Sequence, residues 1–283
     1  MSKARARAVT RRKFLVGGAV LGGGLLAPGW LSRAPFAQTG PRPATPYGVQ
    51  SGDVGPNRAV VWSATDRPAR MVVEYATSDS FSDARRIVGP AALPELGFTA
   101  NAVLTELPAG QDVFYRVTFQ DLADLKTSSV PVIGHFRTAP ADGRDVSFVW
   151  SGDTAGQGWG INADWGGMKI YEVMRRLEPD FLVHSGDMIY ADGPIAAEVA
   201  LPGGTVWKNL VTEEKSKVAE TLHEFRGNYR YNFLDEHVRR FNAAIPQYVQ
   251  WDDHEVTNNW FHERVLEDKR YTIGIQRKSG HKC

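Results

Sequence analysis

Three short stretches concentrate side chains capable of chemistry: SGDTAGQGWG (151–160), SGDMIYADG (185–193) and QWDDHEVTNNW (250–260). The first brings Asp153, the second Asp187, Tyr190 and Asp192, and the third Asp252, Asp253, His254 and Glu255, followed by Asn258 and Asn259. Carboxylates gathered within ~4–6 Å of one another raise each other's pKa unless a cation offsets the repulsion. A pair of metal ions would do so, and the third stretch then supplies metal ligands and an acid–base group. The donors are carboxylate, phenolate, amide and imidazole, with no thiolate in reach. That set suits hard cations such as Ca, Mg, Mn or ferric iron and argues against a structural zinc site. A phenolate favours a strongly Lewis-acidic ion such as Fe(III).

For these stretches to meet, the chain must place them on one edge. Each follows an apolar run of β type: VSFVW (146–150), DFLVH (180–184) and QYVQ (247–250). Between the first two lies GGMKIYEVMRRLEP (166–179), whose Ile170, Val173, Met174 and Leu177 fall at helical spacing before Pro179. Residues 222–246 read as mostly helical, with Leu234, Val238 and Phe241 on one face. The order β-α-β-α-β predicts a mostly parallel sheet with helices. In such a sheet the loops at the carboxyl ends of the strands build the site, so Asp153, Asp187 and the Asp252–Glu255 group should converge.

Upstream the pattern is different. TGPRPATP (39–46) is proline-rich linker, taken as 38–46. From 47 to 140 short runs rich in Val, Tyr, Phe and Thr (58–64, 70–77, 99–107, 112–119, 132–139) alternate with turn residues. This predicts a β-sandwich of about 90 residues. Its segment ANAVLTELPAGQDVFYRVTF resembles the fibronectin type III pattern. The expected fold is therefore an all-β fibronectin III-like sandwich followed by an incomplete α/β domain over 145–283.

Residues 1–37 read as an export signal. Lys3, Arg5, Arg7, Arg11, Arg12 and Lys13 precede an apolar, glycine-rich Phe14–Ala27 stretch that is too short and too weakly hydrophobic for a stable membrane span. TRRKFL resembles the twin-arginine signal, which implies the twin-arginine export machinery as a partner and a periplasmic or extracellular location. Without this segment the chain carries 26 basic and 32 acidic residues, a net charge of −6. Nucleic-acid binding is not expected of such a chain, except as substrate. The one cysteine, Cys283, allows no internal disulfide.

HSGDMIYADGP and QWDDHEVTNNW resemble the signature blocks of the PhoD-type alkaline phosphatases, a branch of the calcineurin-like metallophosphoesterases. The sandwich ahead of the catalytic domain and the twin-arginine signal match that family too. The likeness covers about residues 45–270. The resemblance implies two metal ions, Fe(III) with Ca(II), and hydrolysis of a phosphate mono- or diester, small molecule or polymer. It implies Asp187 as the bridging carboxylate, Tyr190 as a ligand of ferric iron, Asp253 as a ligand of the second metal and His254 as the histidine that contacts phosphate. Asp153 matches the first-strand ligand position, where many members have cysteine. Ala155 stands where the wider superfamily has a ligand histidine.

Plainer readings stand beside these. Asp153 and Asp187 fit turn or cap residues, and Tyr190 a packed aromatic. Asp252 and Glu255 fit residues that only hydrogen-bond backbone or second-layer groups, and Asn258 and Asn259 fit loop-forming amides, with Asp252 and Asn258 also readable as second-layer partners or ligands. His184 reads as a core histidine, Trp251 and Trp260 as pocket walls or core, and Glu213–Lys217 as a solvated helical face. The relatives' catalytic domain continues past this length, so the chain reads as the first half of a metallophosphatase domain with an open sheet edge and an incomplete site. Its last stretch, 273–283, reads as an aberrant tail, with family likeness ending near Thr272. The competing functions are a non-catalytic binding module built on the sandwich and a serine hydrolase using Ser151 or Ser185, which lacks a G-x-S-x-G motif.

Overall fold

Among the described residues, seven strands precede residue 139: β1 (Val49–Gly52), β2 (Ala59–Ala64), β3 (Ala69–Ala76), β4 (Arg85–Ala92), β5 (Thr99–Leu104), β6 (Asp112–Asp121) and β7 (Val132–Arg137). The computed structural model describes residues 40–268 and 270. The expected signal at 1–37 and the tail at 273–283 lie outside the described residues. Strict alternation in β6 buries Val113, Tyr115, Val117 and Phe119 on one face. Strands β4-β3-β6-β7 form one sheet, and β5-β2-β1 lie in another. The two face each other across Val49, Val61, Met71, Val73, Val117 and Phe119, which makes the expected sandwich. Two strands lie outside the sequence-level set. β1 is only four residues long, and β4 carries Pro90, which suits its place at the end of its sheet.

The second region runs β8 (Phe148–Ser151), α1 (Lys169–Arg176), β9 (Phe181–His184), a hairpin of β10 (Glu198–Ala200) and β11 (Val206–Lys208), α2 (Leu222–Asn232), α3 (Glu236–Ala244) and β12 (Gln247–Val249). β8, β9 and β12 are parallel neighbours, as the β-α-β-α-β pattern requires. Their sheet does not end there. β12 also pairs with β1, Gly52 opposite Gln247, so one six-stranded sheet runs β5-β2-β1-β12-β9-β8. The sheet is therefore mixed rather than mostly parallel, with its antiparallel half supplied by the sandwich. A Cβ at residue 52 would lie 2.9 Å from the Gln247 carbonyl oxygen, so glycine is what lets the two backbones meet. Trp62 and Tyr47 pack against Phe233, with ring centroids 5.3 and 6.4 Å apart, and extend the contact beyond the strands.

Three expectations need correction. The single helix over 222–246 is two helices. Thr221 and Glu224 close a reciprocal capping box on α2, and Asp235 starts α3 by accepting from His237 N and Val238 N. Leu234 falls in the break and is partly exposed, while Val238 and Phe241 are buried. In α1 the buried residues are Tyr171 and Met174, whereas Ile170, Val173 and Leu177 are 59%, 55% and 66% exposed. The helix turns Tyr171 inward because its ring packs edge-on against Phe241 at 5.4 Å and its hydroxyl meets Thr154 at 2.9 Å. Glu213–Lys217 is a turn rather than a solvated helix, with Glu214 and Lys215 buried.

Candidate metal centre

The carboxyl ends of β8, β9 and β12 carry the three chemical stretches to one edge of the sheet, as the open α/β geometry dictates. Asp153 and Asp187 both adopt left-handed backbone conformations, φ 58° and 53°, directly after their strands. Such a conformation is uncommon for a residue with a Cβ and is held by its surroundings. Here the loops are laced together. Asp153 N donates to Gly186 O at 3.1 Å and Thr154 N to Asp187 O at 2.8 Å. Gly186, at φ 102°, has no room for a side chain, because its Cβ would lie 2.5 Å from Asp252 N.

Asp187, Asp253 and His254 each present a donor atom, and these atoms lie within 4.8 Å of one another. Asp187 Oδ1 accepts from the His254 N–H at 3.1 Å, and Asp253 Oδ2 accepts from Asn259 N. The Tyr190 ring is buried, lies 4.3 Å from the His254 ring, and its hydroxyl donates to Asp153 Oδ1. Gly156 allows this packing, since a Cβ there would strike the Tyr190 ring at 2.1 Å. The structure thus brings Asp187, Tyr190, Asp253 and His254 together and reaches Asp153 through the tyrosine hydroxyl. Asp252 is exposed and enters only through its backbone N–H, and Asn258 is exposed and contributes its N–H to Asp192 at 2.7 Å. Neither is placed with the clustered donors.

The electrostatics fit a cation. Burial pushes the Asp187 carboxyl up to about 6, opposed by the His254 N–H and ring and reinforced by the charges of Glu255 and Asp253. Burial also raises the Tyr190 phenol, as do its bond to Asp153 and the nearby carboxylate charges. Protein groups alone therefore leave this cluster short of positive charge, and its all-oxygen and imidazole donors match a hard or ferric ion. Burial disfavours the charged His254 ring, yet its hydrogen bond to Asp192 and the charges of Asp192, Asp187 and Asp253 hold its pKa above the ordinary value. Asp192 sets that ring by pairing with Nδ1 at 2.7 Å and also accepts from Thr257 Oγ1 at 3.3 Å.

Two residues beside the cluster, Asp192 and Lys215, went unassigned at the level of sequence, and a third, Glu255, had only its plainer reading. Asp192 was visible in the YADG loop, two residues after Tyr190, but nothing in its spacing pointed to His254. Glu255 is a buried acceptor for Met188 N (2.6 Å), Asp252 N (2.9 Å) and Asp187 N (3.2 Å), which ties the β9 loop to the β12 loop. This is its plainer reading, a backbone acceptor. Lys215 gave no signal within its charged run. It is 2% exposed, and its ammonium donates to Tyr190 O at 3.2 Å and Asn228 Oδ1 at 3.1 Å. Burial brings it down to about 8, against the pull of Asp192.

His184 is fully buried, as expected of a core residue. Its Nε2 meets Thr154 Oγ1 at 3.0 Å, while its Nδ1 has no partner. Trp251 and Trp260 pack on each other at 5.4 Å. Ser151 Oγ donates to the Gly152 carbonyl and Ser185 Oγ accepts from Trp150 Nε1, so neither serine is hydrogen-bonded to a histidine. That arrangement gives a serine nucleophile no base.

Comparison with known proteins agrees with this geometry. The PhoD-like phosphatase model matches residues 148–280, and the model of the PhoD-like phosphatase N-terminal domain matches residues 31–140. The first match runs past Thr272, where the sequence reading ends the likeness. Alkaline phosphatase D of Bacillus subtilis (strain 168) is 27% identical over 225 residues, which is 75% of this chain and 35% of that protein. A solved structure of PhoD superposes with a TM-score of 0.62 at 23% identity, covering 86% of this chain and 44% of that one. The chain thus spans well under half the length of these two relatives. With both halves of the described structure matched by models of one family, the chain belongs to the PhoD-like phosphatases.

Proposed function

We propose that the loops after β8, β9 and β12 form part of a metal-dependent phosphohydrolase site acting on phosphate mono- or diesters. The observation that carries this reading is the convergence of Asp187, Asp253 and His254 within 4.8 Å at the carboxyl ends of two parallel strands. We read the second region as part of an α/β metallophosphatase domain and the first as its fibronectin III-like companion. Asp187, Asp253 and Tyr190 would hold two metal ions, with Asp153 at the same edge, and Fe(III) with Ca(II) is the pairing implied by the resemblance. Bound there, the cations would supply Lewis-acid polarisation of the phosphoryl oxygens and activation of water.

The chain's own groups do the rest. Asp192 fixes the His254 ring through Nδ1, which leaves Nε2, 4.0 Å from Asp253 Oδ1, to donate a proton toward the leaving oxygen. Asp192, through its bond to Nδ1, favours the protonated ring, the form this role needs. Thr257 and Arg264 line a hollow next to Asp192, where a guanidinium suits a phosphate oxygen. Glu255, by holding the two loops in register, keeps Asp187 and His254 at their separation. We infer in addition that residues 1–37 direct export by the twin-arginine route.

The test is hydrolysis of p-nitrophenyl phosphate and bis(p-nitrophenyl) phosphate by the purified chain, before and after chelation and after reconstitution with iron and calcium. Turnover that vanishes with chelator and returns with metal is expected. Turnover indifferent to chelation, or a chain that neither binds metal nor turns over either ester, would overturn the proposal.

A further inference from the structure

The loop that leaves Asp153 and the excursion that follows Tyr190 together build a second feature, distinct from the clustered carboxylates. Trp159 and Trp207 lie with ring centroids 5.7 Å apart at 84°, and Trp165 and Trp207 at 5.1 Å and 69°. These are edge-to-face contacts, the arrangement indole rings favour. Both outer rings remain open to solvent, Trp159 at 41% and Trp165 at 46%. Three indoles on one patch of surface is more apolar area than stray exposure accounts for.

The cluster is rigidly built. Asn209, 9% exposed, uses its whole amide to join the two segments. Its Oδ1 accepts from Trp207 Nε1 at 2.8 Å and Gly160 N at 2.7 Å, and its Nδ2 donates to Gly158 O at 2.9 Å and Ala196 O at 2.7 Å. Asn162 caps the turn that presents Trp165 by accepting its N–H at 3.2 Å. The indoles are therefore held in place before any ligand arrives, which lowers the ordering cost of binding.

The cluster also adjoins the candidate centre. Gly156 abuts the Tyr190 ring, and Trp159 N donates to Gly156 O at 3.0 Å, closing a turn. The ends of such a turn lie less than ~7 Å apart in Cα position. Trp159 thus stands one turn from the residue touching the tyrosine that faces Asp153 and His254. At the rim Lys208 and Asp164 pair at 3.3 Å, both exposed, and offer polar contacts beside the rings.

We propose that Trp159, Trp165 and Trp207 form a stacking platform for a ring in the organic group of the phosphate ester, so that the site selects ring-bearing esters over linear ones. This rests on the phosphohydrolase reading for its orientation. The shared chemistry is a flat apolar ring face against indole, offered equally by an aromatic ring and by a pyranose.

Two readouts test it. In the first, intrinsic tryptophan emission of the full chain is titrated with phenyl phosphate, glucose 1-phosphate and the ringless glycerol 1-phosphate. Saturable change with either ring compound, absent with glycerol 1-phosphate and abolished in Trp159→Ala and Trp165→Ala, is expected. The responding compound separates an aromatic from a sugar ring. In the second, the same variants should raise KM for the responding ester about tenfold more than for glycerol 1-phosphate. No emission change with either ring compound, or equal effects of the variants on all esters, overturns the platform. Saturable ring binding without any turnover would sustain the platform and count against the phosphohydrolase reading instead.

Discussion

At the candidate centre, Glu255 ties two loops together through a single side chain. One buried carboxylate accepts three backbone N–H groups from two loops. Replacing it with alanine strands one buried and two partly buried donors, which should cost about 2–4 kcal/mol. Thermal and urea unfolding would measure that loss. Glu255→Gln, which keeps an acceptor oxygen, should recover part of the stability, and equal stability of Glu255→Ala and the parent chain would refute the clamp. In the sequence, strand-end positions and charge repulsion marked Asp153, Asp187 and the Asp252–Glu255 group as neighbours in space, whereas the parts given to Tyr190, Asp253 and His254 came from the family resemblance. Asp192 and Lys215 were not legible, since each acts through a contact that only the folded loops create: Asp192 with an imidazole 62 positions away, Lys215 with a backbone carbonyl 25 positions away.

At the level of elements, the two helices over 222–244 illustrate what local chemistry decides. The periodicity of apolar residues continues through Leu234, but Asp235 satisfies two free N–H groups and restarts the helix. The capping box of α2 carries a pH signature. Burial opposes the charge on Glu224, but the Lys217 ammonium at 2.6 Å, the Glu220 and Thr221 N–H groups and the Thr221 hydroxyl together hold its carboxyl down at about 2, against an ordinary 4.5. A depressed carboxyl contributes stability in full above pH 4.5, and the contribution fades as the pH falls toward 2. Over that window the midpoint of thermal unfolding should therefore drop more for the parent than for Glu224→Gln, as followed by circular dichroism. Parallel curves would dismiss the cap as a stabilising device. The α1 face was misread because periodicity ranks residues by hydropathy. Tyr171, with a hydroxyl that finds Thr154 and a ring that finds Phe241, displaced the aliphatic row from the core.

For the molecule as a whole, the edge of the six-stranded sheet is the exposed point. Among the described residues β8 is the last strand of the sheet and pairs only with β9. Phe148 and Trp150 on it are 56% and 72% exposed, near in sequence to exposed Val146, while α1 leaves Ile170, Val173 and Leu177 in solvent. An unpaired strand with apolar side chains is a template for another chain. Sedimentation velocity on the purified 283-residue chain should show association that grows with concentration, and Phe148→Lys should reduce it. A monomer at every concentration would show that this edge is inert. Among the described residues no helix is long and apolar enough to cross a membrane. Period distinguished the all-β run from the β-α-β run, yet nothing in the sequence indicated that the two share one mixed sheet. A register contact such as Gly52 with Gln247 leaves no local pattern in either strand.

That shared sheet bears on how the protein is made. β1 leaves the ribosome early, whereas its neighbour β12 follows roughly 200 residues later, and contacts of such long sequence separation form late and slowly. Until then the nascent sandwich presents an unzipped flank to its surroundings, so emergence of β12, rather than birth of the first seven strands, is the event that zips this flank.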